Sequence, residues 1–420
     1  MDPIKVVGVI GMGYVGIPSA VAFAQVYDKV WGFQRLSESS GHKIAQLNKG
    51  IYPLKGEEPE LPELLKEVVT SGKFVCTSDM SKLSECDAIT ITVQTPVGNT
   101  SALMEACMSI VKYGKVGTLV VIESTVPPGT TKAMKSLLKD FMVAHAPERV
   151  TPGRLLRNLT EHDRVIGGVD EWDTQRAIEL YTPVVGKIIP MSSTAAEVTK
   201  TAENAFRDLQ IAAVNQLAMY CEDLGVSVWD VKAGIDSLKG EGITRALLQP
   251  GAGVGGHCLP KDTYYLVNNV RTDVPSIFVL ARKINDFMPA HMYELLNSAL
   301  DPCNIDHPKI AILGWAFSPN TGDCRNTPAG LFRELCLKSG MDVSCHDPYV
   351  WDVELGSVVT SADAIVVFTA HNCYGELNPE WLAGLMNTLI VIDGRNVINP
   401  EEFISAGFIY RGVGRGDLNG

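Results

Sequence analysis

Short apolar, β-branched runs alternate along the chain with longer segments whose apolar positions return every three or four residues. "KVVGVIG" (5–11) is the first such run and reads as a buried parallel strand. "MGYVGIPSAVAFAQ" follows it as a helix and "KVWGF" (29–33) as a second strand; "AITITV" (88–93) and "TLVVIES" (118–124) continue the alternation. Strands that alternate with helices predict a parallel sheet covered on both faces. Near residue 194 the pattern changes. No Pro or Gly appears from there to Gly225, which predicts a helix of about 30 residues, roughly 45 Å long, with Gly225 as its C-cap. Past a Pro/Asp-rich joint, "DPCNIDHP" (301–308), strands resume in "KIAILGWAF" (309–317), "DVSCHDP", "AIVVFTA" and "TLIVIDG". The prediction is an α/β chain. Domains 1–193 and 301–420 carry parallel sheets, and a central helical domain, 194–300, is built on the long helix and offers an apolar surface for a homodimer.

Composition narrows the class. An apolar share of 46 % and a charged share of 20 % over 420 residues suit a soluble protein of two or three domains. No run of 18 apolar residues is present, and the N-terminus lacks the positive start and cleavage site of a signal peptide, so a cytoplasmic protein with no membrane partner is expected. A net charge of −12 without a Lys/Arg block speaks against nucleic acid as a partner. None of the ten cysteines forms a CxxC pair, so no metal site is expected. Most read as small buried apolar groups; Cys258 is set apart by its surroundings.

Gly11-x-Gly13-x-x-Gly16 sits between the first strand and its helix. In that context the three glycines make a dinucleotide cradle: one for the tight turn, one for close approach to the pyrophosphate, one for helix–strand packing. Both sheet domains are therefore expected to be Rossmann-like. An acid normally ends the second strand and takes the ribose hydroxyls. Here Gln34 and Arg35 stand there. Gln34 can bond a ribose hydroxyl, which keeps the cofactor as NAD; Arg35 can hold a 2′-phosphate, which makes it NADP, or simply face solvent.

The second candidate site is "GAGVGGHCLPKD" (251–262), four glycines ahead of Cys258. On the long helix Lys200, Asn204 and Arg207 share one face. An ammonium favours the thiolate, and an ammonium with an amide N–H₂ can hold the oxyanion of a tetrahedral adduct. His257 points away from its neighbour in an extended loop and is read as structural. A thiol beside a nicotinamide cofactor implies addition to an aldehyde, loss of hydride to give a thioester, and hydrolysis to a carboxylate. Glu148 and Asp262 are candidates to position or deprotonate the water.

The motifs "GMGYVGIPSA" (11–20), "QTP" (94–96), "ESTVPPGTT" (123–131), "HAPERVTPG" (145–153), "KTAENAFRDLQIAAVNQLA" (200–218), "QPGAGVGGHCLPKD" (249–262) and "NTGDCRNTPA" (320–329) occur in order. In them the chain resembles the UDP-glucose/GDP-mannose dehydrogenase family over essentially its whole length. The resemblance implies an NAD-binding domain, a helical centre and a UDP-binding domain, and oxidation of a sugar C6 alcohol twice to a uronic acid with two NAD. It implies Cys258 as nucleophile, Lys200 and Asn204 as oxyanion and proton-handling pair, and Asp262 as their orienting group. Glu148 and Thr125 would manage the water. Met12, Tyr14, Val15, Thr95, Thr125, Lys261 and Arg325 would join the glycines at the cofactor. Residues 247–251, among them Gln249 and Gly251, would line the sugar nucleotide with Gly255 and Phe317, the glycines lying flat against it. "APERVTPG" and "AENAFRD" are similar to the branch acting on UDP-N-acetylmannosamine and related N-acetyl sugars, where Arg149, Val150 and Arg207 would contact substrate.

Three positions depart from the family: Gln34 replaces Asp, Ser318 replaces a Lys at the nucleotide, and the expected arginine is displaced to Arg245. UDP-glucose and UDP-N-acetylgalactosamine stay as rival substrates. A two-electron β-hydroxyacid dehydrogenase and a non-catalytic sugar-nucleotide binder are the readings from other classes.

Overall fold

Eight short strands assemble around "KVVGVIG": β1 (Val6–Ile10), β2 (Lys29–Phe33), β3 (Phe74–Thr77), β4 (Ala88–Ile91), β5 (Leu119–Ile122), β6 (Met142–His145), β7 (Arg164–Gly168) and β8 (Ile188–Ser192). In the computed structural model they form one sheet in the order β3-β2-β1-β4-β5-β6-β7-β8. All neighbours are parallel except β6 and β7. Residues 2–37, 41–54, 58–151, 153–238, 246–268 and 275–419 are described. The chain folds as two compact units, Met1–Glu203 with Tyr264–Val270, and Asn204–Thr263 with Arg271–Gly420.

Within the first unit the strands bury both faces. Leu119 and Val121 of β5 enter one apolar cluster, Val120 and Ile122 the other. This is the period of two that a strand imposes, with both faces covered by helices. The order reverses between β1 and β4, which opens a crevice beyond their carboxyl ends where ligands of such sheets bind.

The second unit carries a parallel five-stranded sheet of β9 (Lys309–Leu313), β10 (Asp342–His346), β11 (Ala364–Val367), β12 (Ile390–Asp393) and β13 (Ile409–Gly412), in the order β10-β9-β11-β12-β13. Its switch point lies between β9 and β11. The segment after β9 is Gly314–Ser318, so Phe317 and Ser318 stand where this topology binds nucleotides. Asp347 holds that segment: it accepts from the Trp315 and Ala316 N–H groups, each at 2.7 Å, and from His371 Nε2 at 3.0 Å.

The long helix runs Ser193–Asp223, and Gly225 leaves it with φ +67°. Its stretch in the first unit places buried Glu197 at the start of the Thr130–Leu137 helix, where it accepts from Gly129 N–H, Thr131 N–H and Thr131 Oγ1. A carboxylate there satisfies otherwise unpaired N–H groups. The stretch in the second unit packs on the Ile277–Leu300 helix through polar groups. Asp208 Oδ1 accepts from Arg282 Nη1 at 2.6 Å and Asn285 Nδ2 at 2.8 Å; Asn285 Oδ1 accepts from Asn215 at 2.9 Å; Asn215 Oδ1 accepts from Gly251 N–H at 2.9 Å. Arg282 is only 1 % exposed. Its other carboxylate partner, Asp286, is largely exposed, so removing Asp208 leaves the buried charge only partly compensated; Asp208→Ala is expected to destabilise the chain by about 3 kcal/mol, read as a shift of the denaturation midpoint of the second unit, with Asp208→Asn losing less.

Candidate active site

The first group of candidate residues lies where β1 ends. Gly11 adopts φ +106°, and a Cβ there would meet the Thr92 carbonyl oxygen at 2.7 Å. A Cβ on Gly16 would stand 1.8 Å from the Gly11 carbonyl oxygen. Both glycines are required by the protein's own packing. Gly13 is not: a Cβ there would meet nothing within 4 Å. The space beside it belongs to a cavity of about 650 Å³ lined by Gly11, Met12, Gly13, Gln34 and Arg35 among others. The following helix, Gly16–Val26, has no side-chain cap at Val15. An uncapped N-terminus beside an open glycine is what a pyrophosphate requires.

Gln34 does something the sequence did not reveal. Its Oε1 accepts from the Met12 N–H at 3.0 Å and so ties the end of β2 to the glycine turn. Arg35 pairs with Glu105 on the exposed rim of the same cavity. Tyr14 packs against the apolar core of the unit. Thr95 and Thr125 are buried together, Thr95 Oγ1 donating to the Thr125 carbonyl at 2.7 Å, and Tyr265 donates to the Thr95 carbonyl at 2.6 Å.

Also in the first unit, Lys200 is buried with its Nζ 3.5 Å from Glu148 Oε1, while Glu148 Oε2 accepts from the Val150 N–H at 2.7 Å. Arg149 is engaged by Glu203 and by the Asp163 carbonyl. Behind Glu148, His145 ends β6. It is fully buried, and neither ring nitrogen has a hydrogen-bond partner among the described residues. Burial, reinforced by the charges of Arg164 and Lys200, pushes its pKa down to about 3 and keeps it neutral beside the ammonium.

A separate group of candidate residues lies within the second unit. Cys258 immediately precedes the Leu259–Val267 helix, and its carbonyl accepts from the Lys261 and Asp262 N–H groups. The thiol is exposed, and no disulfide joins any of the ten cysteines. A sulfur at a helix N-terminus has its negative form favoured by the helix dipole. One turn on, fully buried Asp262 accepts from Asn204 Nδ2 at 2.6 Å, and Lys261 Nζ lies 2.8 Å from its other oxygen. This fixes the Asn204 amide and leaves its second N–H to donate elsewhere.

The glycines ahead of Cys258 also have an internal reason, beside the expectation that they lie flat against a ligand. A Cβ on Gly251 would meet Arg395 Nη1 at 2.5 Å; one on Gly255 would meet Phe317 Cβ at 2.6 Å. The loop needs them to reach the segments beyond β9 and β12. Arg325 is held by Asp323, and its carbonyl accepts from the Gly256 N–H. Arg207 and Gln249 are exposed. Arg245 lies outside the described residues. Among the described residues no group of His, Cys, Asp and Glu is placed to hold a metal ion.

A dinucleotide cradle at the switch point of the first sheet marks a pyridine-nucleotide-binding protein. The chain belongs to the UDP-glucose/GDP-mannose dehydrogenase family: the NAD binding domain matches residues 5–185, the central domain 194–287 and the UDP binding domain 311–400. It is similar to the UDP-N-acetyl-D-mannosamine dehydrogenase of Pyrococcus horikoshii, 40 % identical over 98 % of this chain and 100 % of that protein. A solved structure of UDP-D-ManNAc dehydrogenase from that organism superposes with a TM-score of 0.91 at 39 % identity, covering 99 % of this chain and 100 % of the other. The solved NDP-N-acetyl-D-galactosaminuronic acid dehydrogenase of Methanosarcina mazei Go1 is 54 % identical, with a TM-score of 0.87, covering 100 % and 97 % of the two chains. The chain is thus an NAD-dependent dehydrogenase.

The two internal glycines and the open one separate in experiment. Gly16→Ala is expected to lower the melting temperature, while Gly13→Ala keeps it and raises the KM for NAD about tenfold or more. Stability also depends on His145. The unfolded imidazole takes a proton below about 6.5 that the native one refuses until about 3, so the chain loses stability as pH falls through that window. His145→Gln is expected to lose less across it, measured by denaturation midpoints.

Proposed function

We propose that the chain oxidises the C6 alcohol of UDP-N-acetyl-D-mannosamine to the uronic acid, through the aldehyde and a thioester on Cys258. The observation that carries this reading is the Asp262–Asn204 bond one helical turn, about 6 Å, beyond a thiol at a helix N-terminus. Bound NAD supplies the hydride acceptor; Gly11, Gly13 and the N-terminus of the Gly16–Val26 helix hold its pyrophosphate. Cys258 attacks the aldehyde carbon. Asn204, its amide fixed by Asp262, donates its second N–H to the oxyanion, and Lys200 supplies positive charge from one helical turn earlier. Glu148, held by the Val150 N–H and near Lys200, with Thr125, directs the water that frees the carboxylate. Phe317 and Ser318, at the switch point of the second sheet, and Arg207 and Gln249, exposed in the second unit, serve the nucleotide sugar.

A second substrate, UDP-N-acetyl-D-galactosamine, is favoured by one observation: the 54 % identical relative is an N-acetyl-galactosaminuronic acid dehydrogenase. Both share the N-acetyl group, and the two readings differ in sugar stereochemistry alone.

Domains 1–193, 194–300 and 301–420 keep their separate roles in this reading. The family matches at 5–185, 194–287 and 311–400 support that division. A homodimer is supported by exposed Phe206, Tyr220, Ile277 and Leu280 on the two long helices, with Leu224 just past the end of the first. A cytoplasmic setting is supported by ten cysteines without a disulfide, and no helix among the described residues is long and apolar enough to cross a membrane.

The test follows reduced cofactor by absorbance with a panel of UDP-sugars. Two NADH per N-acetylhexosamine are expected, with UDP-N-acetylmannosamine giving the highest kcat/KM; one NADH per sugar would defeat the four-electron reading. Cys258→Ser is expected to lower kcat by about a thousandfold or more.

A further inference from the structure

The end of β2 carries a second message, which rests on reading the 650 Å³ cavity as the dinucleotide site. Gln34 brings no charge, and its oxygen already serves the Met12 N–H. A carboxylate in its place would repel a phosphate on the adenosine ribose; the amide does not. Beyond it Arg35, Ser37 and Lys43 line the same cavity. Glu105 is the one carboxylate among the cavity's described lining residues, and it pairs with Arg35. That pair lies at the surface, the two side chains 65 % and 56 % exposed. Pairs of this kind contribute about 0–1 kcal/mol and yield readily to a stronger partner. Lys43 has no carboxylate partner among the described residues, and burial alone pushes its pKa down. Among its described lining residues the cavity thus sets two cations against one acid, around a neutral residue where NAD sites keep a negative one.

We propose that this cavity accepts a dinucleotide bearing a 2′-phosphate as well as NAD, with Arg35 and Lys43 gripping that phosphate and Gln34 permitting it. A phosphate monoester carries close to two negative charges near neutrality and accepts a bidentate guanidinium. It therefore displaces Glu105 from Arg35 and gives the Lys43 ammonium its counter-charge. Ser37 adds a hydroxyl at the same wall. The pyrophosphate, by contrast, is served by Gly13 and the uncapped helix.

Calorimetric titration of the full chain with ADP and with 2′,5′-ADP tests this without turnover. At low salt 2′,5′-ADP is expected to bind about tenfold tighter than ADP, and the preference is expected to shrink as salt rises. Arg35→Ala and Lys43→Ala are each expected to reduce the ratio of the two affinities about fivefold, and Gln34→Asp is expected to reverse it. Melting-temperature shifts with NADP and NAD should rank in the same order as the two affinities. Equal or weaker binding of 2′,5′-ADP overturns the proposal, as does an equal loss for both ligands in the variants, which would place the cations on the pyrophosphate. If neither ligand binds, the assignment of the cavity to a dinucleotide falls, and the 2′-phosphate subsite with it.

Discussion

A buried polar chain governs the second unit. Arg282, Asp208, Asn285 and Asn215 link the two long helices, and the last member reaches the Gly251 N–H at the head of the loop that carries Cys258. The buried guanidinium is shared between Asp208 across the pair and Asp286 on its own helix, and losing the Asp208 contact is costly, which favours one register of the helices. The loop inherits that register. It is fastened again at Ala252 by the Gly394 carbonyl, at Gly253 by Arg395 and at Gly256 by Arg325 and Asn326. The thiol is therefore placed by hydrogen bonds to helix and sheet, with little left to the loop itself. Positioning of this quality is what a nucleophile needs, since small displacements of reacting groups are expensive in rate.

Two glycine-rich stretches look alike in the sequence and work differently. In the first, Gly11 and Gly16 answer to packing and Gly13 to open space. In the second, the absent side chains at Gly251 and Gly255 make room for Arg395 and Phe317. One stretch leaves open space beside its middle glycine; the other lets two segments of the protein approach. Composition cannot separate these cases: the atoms that meet Gly11, Gly251 and Gly255 come from residues roughly 60 to 140 positions away, and only Gly16 answers to a near neighbour, Gly11.

Periodicity disclosed the alternating strands, the second sheet and the long helix with its glycine stop. It passed over β3, β6, β7, β8 and β13. Those strands have four or five residues each and carry polar, charged or Pro residues: His145 in β6, Arg164 in β7, Pro190 in β8. Arg164 is buried against Glu123 and beneath the Tyr181 ring, a compensation invisible to a local pattern. The dinucleotide cradle was legible because its residues are contiguous. Cys258, Asn204 and Asp262 were legible through family likeness more than through spacing. Asp208, Asn215, Arg282 and Asn285 were missed, because polar residues on a helix ordinarily face water. A pairing of Asp208 with Asn215 two turns on, opposite Arg282 and Asn285 three apart, was the signal available.

Charge around Glu148 follows from the same economy of burial. The carboxylate has one oxygen toward the Lys200 ammonium and the other on a backbone N–H. His145, a third titratable group of this unit, is denied water and stays neutral. Were it charged, it would compete with Lys200 for Glu148 and set two cations side by side in a dry region. Its neutrality leaves a single positive centre on that stretch of the long helix. Asn204 follows Lys200 by one turn, a spacing the helix itself sets at about 6 Å. A charge and a fixed dipole are thus carried on one rigid rod. Their separation resists local distortion because altering it would break helical hydrogen bonds, which is why such a pair is better built on a helix than on a loop.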